Sequence, residues 1–252
     1  MPVPQASVII PAAGAGRRFG AAGPDTGRTR GETQDKVFAP LAGRPVLAHV
    51  LDRFAAVRAV TEVVVAVPEG RVDWAAATFG HALADGRRLA FVAGGGDRAA
   101  SVALALATTD RSNELVAIHD AVRPLIRPAV IEEAFCVAIE CGAAVVGRPV
   151  DHTIKSVGAD RCVATTVARD ALWMAQTPQV FRREIITQAY GRRDDVVGAL
   201  TDDAQLVEAM GQVVMMVLGD AANIKITTPE DLRMCEALLA AGWPFEPESA
   251  RP

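Results

Sequence analysis

The first apolar run of the chain breaks into a stretch of small residues that is followed by two arginines. Residues 11–16 read PAAGAG, and Arg17 and Arg18 come directly after them. Backbone N–H groups of such a loop can form an anion-binding nest, and arginine adds forked donors that suit phosphate. The stretch lacks the Gly-Lys-Ser/Thr ending of a P-loop and the third glycine of the dinucleotide fingerprint. It therefore predicts a strand that delivers a phosphate-binding loop, with an ordinary strand-to-helix turn as the alternative.

Four further charged residues stand where phosphate chemistry could use them. Asp120 follows an apolar run in HDAVRP, and a hard carboxylate at the end of a strand suits Mg²⁺ held against phosphates. Arg123 could clamp a second phosphate. Lys36 and Lys225 could stabilise the charge that develops in phosphoryl transfer. Each also has a plain structural interpretation, as a turn cap, a solvated surface cation or a charge at a strand edge.

A second glycine-rich turn, GGG at residues 94–96, is followed by Asp97 and by Ser101 in the next predicted helix. The glycines would let a flat ligand such as a nucleobase approach the backbone, and the Ser101 hydroxyl could bond to it. The alternative is a plain turn in which Asp97 caps the helix. The four histidines have no metal-ligand spacing and no readable nucleophile partner, so the sequence does not point to covalent catalysis.

The elements that position these residues alternate along the chain. The predicted strands are 7–11, 62–67, 88–93, 115–118, 143–150, 212–218 and 224–227, and the predicted helices are 45–57, 72–84, 98–108, 128–140 and 229–240. Strands that are apolar without alternation are typical of a sheet covered on both faces. The pattern predicts an α/β fold with a mostly parallel sheet, whose ligands bind at the carboxyl ends of the strands.

Two segments interrupt the alternation. Residues 20–34 are polar and rich in Gly, Thr and Arg, which predicts a flexible loop beside the first glycine turn. Residues 151–176 carry two β-rich runs, TIKSV and CVATTV, around a Gly-Ala-Asp turn, which predicts a hairpin arm. Exposed strands of this kind often pair with a partner subunit. We expect one domain, residues 1–245, with the arm at about 151–176 and a loose tail at 246–252.

Composition narrows the class of protein. The 252 residues are 50% apolar and 22% charged, with a net charge of −4, which favours a substantial core and disfavours broad nucleic-acid binding. No apolar run approaches membrane-spanning length, and no secretory signal is evident. The four cysteines form no C-x-x-C pair and are expected to be small buried residues in a reducing compartment. We therefore expect a cytoplasmic protein with no nucleic-acid or membrane partner.

Together these motifs resemble one family, the 2-C-methyl-D-erythritol 4-phosphate cytidylyltransferases. In chain order they are Pro11-Ala12-Ala13-Gly14-x-Gly16-x-Arg18, Lys36, Gly94-Gly95 with Arg98-x-x-Ser101, His119-Asp120-Ala121-x-Arg123-Pro124, Asp151-x-Thr153-x-Lys155, Arg169, Thr177-Pro178-Gln179, Thr201-Asp202-Asp203-Ala204 and Asn223-Ile224-Lys225-Ile226-Thr227. The resemblance spans nearly the whole chain. Each motif alone is weak, and the ordered set is specific.

The resemblance implies a doubly wound nucleotidyltransferase (Rossmann-like) domain with a β-hairpin dimerisation arm, a homodimer and a Mg²⁺-dependent reaction. It implies that CTP and 2-C-methyl-D-erythritol 4-phosphate give the CDP-linked alcohol and pyrophosphate, in isoprenoid precursor biosynthesis. Another polyol phosphate, such as ribitol 5-phosphate, is the near alternative for the acceptor. More distant alternatives are a sugar-1-phosphate nucleotidyltransferase and a non-catalytic nucleotide-binding protein.

The resemblance also implies roles for individual residues. The catalytic residues are Arg18, Lys36 and Lys225. The nucleotide-binding residues are Pro11, Ala12, Ala13, Gly14, Gly16, Gly95, Gly96, Ser101 and Ala121. The residues that bind the polyol phosphate are Asp120, Arg123, Thr153, Arg169 and Thr177. Asp120 would also be the Mg²⁺ ligand, and Thr153 and Arg169 would come from the partner's arm.

Overall fold

A seven-stranded sheet with helices on both faces forms the centre of the structure. The computed structural model describes residues 4–14, 36–83, 86–196, 198 and 200–243. The strands are β1 (Ala6–Pro11), β2 (Pro40–Leu41), β3 (Arg44–Pro45), β4 (Val60–Val67), β5 (Arg88–Ala93), β6 (Leu115–Ile118), β7 (Ala143–Pro149), β8 (Ile154–Val157), β9 (Val163–Val167), β10 (Trp173–Arg182) and β11 (Met215–Leu218). The α-helices are α1 (Val46–Ala55), α2 (Val72–Phe79), α3 (Arg98–Thr108), α4 (Pro128–Cys141), α5 (Arg183–Gly191), α6 (Ala204–Ala209) and α7 (Pro229–Ala240).

The sheet is mostly parallel. Its strand order is β11-β7-β10-β6-β1-β4-β5. Strands β6, β1, β4 and β5 run parallel to one another, as do β7 and β11, whereas β10 is antiparallel to both of its neighbours. The predicted α/β fold class is confirmed. The carboxyl ends of β1, β5 and β6 therefore lie at one edge of the sheet, where their following loops meet.

The two faces of the sheet have separate cores, which explains the continuous apolar strands. Alternate residues of β4 divide between them, with Val63 and Val65 in one core and Val64 in the other. Helices α1, α2, α4 and α7 contribute to the first core, and α3, α5 and α6 to the second. Because both faces are covered, alternation between apolar and polar residues is lost.

One predicted strand is wrong. Residues 224–227 form no strand but cross the carboxyl edge of the sheet as an irregular segment. Ile226 is fully buried and donates its backbone N–H to Val122 O at 2.9 Å, which anchors the segment without a ladder. The apolar pattern of residues 224–227 therefore reflects burial, and the strand that it predicts is wrong.

Strand β10 was not predicted. It lies in the middle of the sheet between β7 and β6, and Pro178 falls inside it. Proline removes a ladder donor, so its presence argues against a central strand. The structure accommodates it at an irregularity, where the pairing with β7 shifts register between Ala175 and Gln179.

The predicted hairpin is present. Strands β8 and β9 pair antiparallel as a separate two-stranded sheet, and most of their residues are exposed. The far boundary differs from the prediction, because β10 already begins at Trp173 in the main sheet. We call residues 151–172 the arm. The expectation for residues 20–34 and for the tail at 246–252 falls outside the described residues.

The cysteines depart from the expectation of burial. Cys235 is buried, whereas Cys136, Cys141 and Cys162 are exposed free thiols, because two lie on the solvent face of α4 and one follows the turn of the arm. In the part of the chain that the structure describes, no helix has the length and apolar character needed to span a membrane.

Candidate active site

A cavity of about 270 Å³ opens where the loops after β1, β5 and β6 meet. It is lined by Pro11, Ala12, Ala13, Gly14, Lys36, Val37, Gly95, Gly96, Asp97, Arg98, Ser101, Asp120, Ala121, Val122 and Lys225. We call it the first cavity. Its position at the carboxyl edge of a parallel sheet is the usual ligand position in this fold class.

The glycine turn after β5 packs directly on the loop after β1. A Cβ on Gly94 would stand 2.2 Å from the Cβ of Ala13, so only glycine lets the two loops approach this closely. A Cβ on Gly96, by contrast, would meet no other described residue within 4 Å. The sequence predicts that the glycines make room for a ligand, whereas Gly94 is needed for the packing of the two loops.

Ser101 and Asp97 hold this turn in shape. The Ser101 hydroxyl accepts the Gly95 N–H at 3.0 Å and donates to Asp97 O at 2.8 Å. The Asp97 carboxylate accepts the Ala100 N–H at 2.7 Å, which confirms it as the N-cap of α3. The wall of the first cavity is therefore a braced turn, and Ser101 already makes two hydrogen bonds within it.

A second cavity, of about 240 Å³, adjoins the first. It is lined by Arg98, Asp120, Arg123, Ala175, Gln176, Thr177, Gln179, Thr201, Asp202 and Lys225. Arg98, Asp120 and Lys225 belong to both linings. The arrangement has room for two ligands that meet at one charged wall.

Three cations converge on the carboxylate of Asp120. Lys225 Nζ lies 2.9 Å from Oδ2, Arg123 Nε 3.3 Å from Oδ2, and Arg98 Nε 3.4 Å from Oδ1. Burial on its own would raise the pKa of Asp120, but the charges of Lys225, Arg98 and Arg123 hold that pKa well below its usual range. Asp120 is therefore ionised at all physiological pH values, and the cations around it can also meet phosphate oxygens.

The loop that carries Lys225 is fixed from both sides. Arg123 Nη1 donates to Asn223 O at 2.7 Å, and the Ile226 N–H bonds to Val122 O. The Lys225 side chain itself is 42% exposed. The backbone is thus anchored while the ammonium group can turn from Asp120 to a ligand in either cavity.

His119 and Thr177 fix the backbone at Asp120. Thr177 Oγ1 accepts the Asp120 N–H at 3.0 Å and lies 3.2 Å from His119 Nδ1. His119 Nε2 lies 3.1 Å from the carbonyl oxygen of Arg123, which can only accept, so Nε2 carries the proton and Nδ1 accepts from the Thr177 hydroxyl. Burial lowers the pKa of His119 to about 4 and keeps the ring neutral.

The side chains of the site could bind a divalent metal through the single carboxylate of Asp120 together with substrate phosphates. Among the described residues there is no group of three or more His, Cys, Asp or Glu side chains that could hold a metal ion. Mg²⁺ is commonly bound by one or two carboxylates together with substrate phosphates, and Asp120 offers one such carboxylate at the cavity junction. A metal there would have to replace one of the three cationic contacts.

The structure brings most of the predicted site residues together. Pro11, Ala12, Ala13, Gly14, Lys36, Gly95, Gly96, Ser101, Asp120, Ala121 and Lys225 line the first cavity, and Arg123 and Thr177 line the second. Thr153 and Arg169 line neither cavity of the described chain. They lie exposed in the arm, where Arg169 Nη1 donates to Asp151 O. Gly16 and Arg18 lie outside the described residues.

Several lining residues had no assigned role in the sequence analysis. Arg98 shares the wall of both cavities, and Gln176, Gln179, Thr201 and Asp202 line the second. Arg98, Gln179, Thr201 and Asp202 stand inside motifs that the resemblance uses, so the signal was present without a role. Gln176 lies in β10, the strand that the sequence did not predict.

Known proteins share this architecture over nearly the whole chain. The family model described as "IspD: 2-C-methyl-D-erythritol 4-phosphate cytidylyltransferase" matches residues 6–241. A protein of that name from Pelotomaculum thermopropionicum is 39% identical over 93% of this chain and 94% of its own length. A namesake from Acidobacterium capsulatum is 42% identical over 90% of this chain and 94% of its own.

Solved structures agree with the sequence relatives. The crystal structure of 2-C-methyl-D-erythritol 4-phosphate cytidylyltransferase from Thermus thermophilus is 33% identical and covers 94% of this chain and 99% of its own, with a TM-score of 0.71. That of 4-diphosphocytidyl-2C-methyl-D-erythritol synthase from Anaerococcus prevotii is 28% identical with the same coverage and a TM-score of 0.77. The chain belongs to the 2-C-methyl-D-erythritol 4-phosphate cytidylyltransferase family.

Proposed function

We propose that this chain transfers the cytidylyl group of CTP to 2-C-methyl-D-erythritol 4-phosphate, giving 4-diphosphocytidyl-2-C-methyl-D-erythritol and pyrophosphate in isoprenoid precursor biosynthesis. The observation that carries the proposal is the pair of adjoining cavities that share Asp120, Arg98 and Lys225. A two-substrate phosphoryl transfer needs such a junction, because the two phosphates must meet in line.

The first cavity takes CTP in this proposal. Its lining includes the small, uncharged residues Ala12, Ala13, Gly95 and Gly96, beside which a flat base can lie close to the backbone. Pro11 and Ala121 complete its walls. Gly14 and Lys36 line the same cavity. In this proposal they hold the triphosphate together with Gly16 and Arg18, which follow in the sequence.

The second cavity takes the polyol phosphate. Arg123 supplies a guanidinium group there, and Thr177, Gln176 and Thr201 supply polar groups suited to hydroxyls. Among the described residues, the basic side chains that line this cavity are Arg98, Arg123 and Lys225. Thr153 and Arg169 of a partner's arm would add a hydroxyl and a further guanidinium group.

The chemistry follows from charge and position. A phosphate oxygen of the acceptor attacks the α-phosphorus of CTP, and pyrophosphate leaves from the opposite side. The attacking phosphate is already ionised, so the site needs no strong general base. Lys225, Lys36 and Arg18 stabilise the negative charge that gathers on the α-phosphoryl group, and Arg123 orients the attacking phosphate.

A divalent cation, Mg²⁺, fits this scheme at Asp120. Asp120 would hold it together with the triphosphate, and the cation would supply positive charge that offsets the phosphate charge. The role of Asp120 in the chain is to stay ionised, which the cations around it ensure. Lys225 is then free to turn to a phosphate, and Arg123 can offer its Nε to a phosphate while its Nη1 stays on Asn223 O.

The active unit is a homodimer joined through the arm. The arm and the start of β10 expose apolar side chains, among them Val157, Val163, Trp173 and Met174. Exposed apolar groups on a protruding hairpin are typical of an interface. Such a dimer would bring Thr153 and Arg169 to the partner's second cavity.

We place the reaction in the cytoplasm. The exposed thiols of Cys136, Cys141 and Cys162 form no disulfide in the described chain, and thiols of this kind persist in a reducing compartment. All substrates in the proposal are small phosphorylated metabolites, so neither a nucleic acid nor a membrane is a partner.

Pyrophosphate release by the purified chain tests the proposal. We expect release with CTP plus 2-C-methyl-D-erythritol 4-phosphate, little release with UTP, ATP or GTP, and none with CTP alone. Ribitol 5-phosphate is the control acceptor. Preferential use of ribitol 5-phosphate would favour the alternative acceptor, and binding of CTP with no turnover on any acceptor would favour a nucleotide-binding protein.

A further inference from the structure

Arg98 stands at the junction of the two cavities and differs from the other cations there in how it is held. Lys225 and Arg123 have Asp120 as their carboxylate partner. Arg98 has two, because its Nη2 also lies 2.7 Å from Oδ2 of Asp203. The contact with Asp203 is shorter than the 3.4 Å contact with Asp120, so Asp203 is its main anchor.

Asp203 is a buried carboxylate. Among the described residues, Arg98 is the one cation that pairs with it. Asp203 is 1% exposed, and it lines neither cavity. Its Oδ1 accepts the hydroxyl of Tyr190 at 2.6 Å, whereas Oδ2 makes no hydrogen bond of good geometry and has Arg98 as its partner. An unpaired buried carboxylate costs folding free energy. The guanidinium of Arg98 is therefore held beside Asp203.

Both ends of this chain of contacts are rigid. The backbone N–H groups of Asp203 and Ala204 donate to Gln179 Oε1 at 2.9 and 3.0 Å, which fixes the start of α6 to β10. Arg98 is the first residue of α3, whose N-terminus Asp97 caps.

We propose that Asp203 and Arg98 form a brace that positions the Asp120 carboxylate during turnover, with Arg98 as the positioning residue in direct contact and Asp203 acting through it. The inference rests on the proposed function, in which Lys225 and Arg123 leave Asp120 to meet phosphates. Arg98 cannot follow them without leaving Asp203 unpaired. It therefore remains on Oδ1 of Asp120 and keeps that carboxylate oriented.

The test compares Arg98→Lys, Asp203→Asn and the double variant with the wild type. Lysine keeps a charge for the buried acid but cannot span both carboxylates. Asparagine keeps an acceptor for the Tyr190 hydroxyl and removes the anchor charge. We expect each single variant to lower kcat roughly 10-fold with little change in KM for either substrate, because a slightly misplaced group costs rate rather than binding. The double variant should be no worse than the single ones.

A second, partly buried ion pair supplies matched control variants. Arg127 and Asp220 contact each other bidentately at 2.7 and 3.0 Å and line neither cavity. Arg127→Lys and Asp220→Asn should leave kcat at the wild-type value. The chain has one tyrosine, so fluorine NMR of protein labelled with 3-fluorotyrosine reports on Tyr190 alone. Its resonance should shift in the Arg98 and Asp203 variants and not in the controls.

Each outcome decides the inference. Wild-type turnover is measured first, so failure of the proposed function is seen separately from failure of the brace. Unchanged kcat in Arg98→Lys overturns the inference, and this holds even if Asp203→Asn does not fold. A raised KM with unchanged kcat would mean that Arg98 binds substrate itself. Additive losses in the double variant would mean that Asp203 does not act through Arg98.

Discussion

The cations around Asp120 contact its carboxylate in the structure, and in the proposed function they also meet the phosphates of the substrates. Lys225 illustrates the competition, since its ammonium group is 2.9 Å from Asp120 while its side chain is partly exposed to both cavities. A cation that is paired and still mobile can change partner at little cost. Such pairs keep the site compact without making the cations unavailable.

Replacing Lys225 by alanine tests this role. We expect kcat to fall by roughly 10²-fold or more, which is the scale for removing one contact to transition-state charge. Arg233→Ala, a cation on the exposed face of α7, is the control and should keep normal turnover. Steady-state pyrophosphate release measures both, and near-normal kcat in the Lys225 variant would contradict its assignment.

His119 predicts a pH dependence of stability. Its pKa falls from 6.5 to about 4 on folding because the ring is buried, so the unfolded chain binds more protons between these values. The free energy of unfolding should therefore decrease as pH falls from about 6.5 to about 4, by at most about 3 kcal/mol from this residue. Urea unfolding at several pH values measures it. His119→Gln should flatten the slope in this window, and an unchanged slope would argue against a neutral buried ring.

At the scale of elements, the loop after β1 and the turn after β5 behave as one unit. Gly94→Ala would place a Cβ 2.2 Å from that of Ala13, and we expect a loss of stability of about 1–3 kcal/mol with a raised KM for CTP. Gly96→Ala is the matched control, since its Cβ would meet no atom of the described residues within 4 Å. Denaturant titrations compare the two. Equal stability of both variants would show that the loops are not packed as described.

The sequence predicted elements best where local pattern and tertiary role agree. Strand β4 and helix α3 follow from an unbroken apolar run and from a capped helical pattern with Asp97 at its start. Strand β10 could not be predicted from its own residues, because Pro178 contradicts a central strand until the neighbouring β7 and its register shift are known. The opposite error occurs at residues 224–227, where a strand is predicted and none forms. Their apolar pattern reflects burial and a hydrogen bond from Ile226 to Val122, not strand pairing.

In the site, too, some residues could be predicted from local pattern and others depend on tertiary contacts. Asp120, Lys225 and Arg123 could be singled out because each is a charged residue beside or within an apolar run, although each also had a plain structural interpretation. Arg98 and Asp203 could not be given roles, because their meaning depends on a contact between α3 and α6 that are about a hundred residues apart in the chain. Only the folded chain brings a buried acid behind a cavity-lining arginine.

At the scale of the whole molecule, the arm predicts that each site is built from two chains. If Arg169 acts in the partner's second cavity, Arg169→Ala and Lys225→Ala remove residues that belong to different chains of one site. We expect each homodimer to be nearly inactive, and subunit exchange between them to restore activity, because one site of each heterodimer is then intact. Turnover of the mixture after exchange measures this, and no recovery despite exchange would place Arg169 in its own chain's site or in none.

The central claim is that two substrates meet at the wall formed by Asp120, Arg98 and Lys225. Phosphorus NMR of the purified chain with CTP, 2-C-methyl-D-erythritol 4-phosphate and Mg²⁺ tests it most directly. The account predicts new diphosphate diester resonances that grow together with pyrophosphate in equal amounts, and it predicts neither in the Lys225→Ala variant on the same time scale. Release of CMP or inorganic phosphate without the diester, or a diester formed only with ribitol 5-phosphate, would contradict the account.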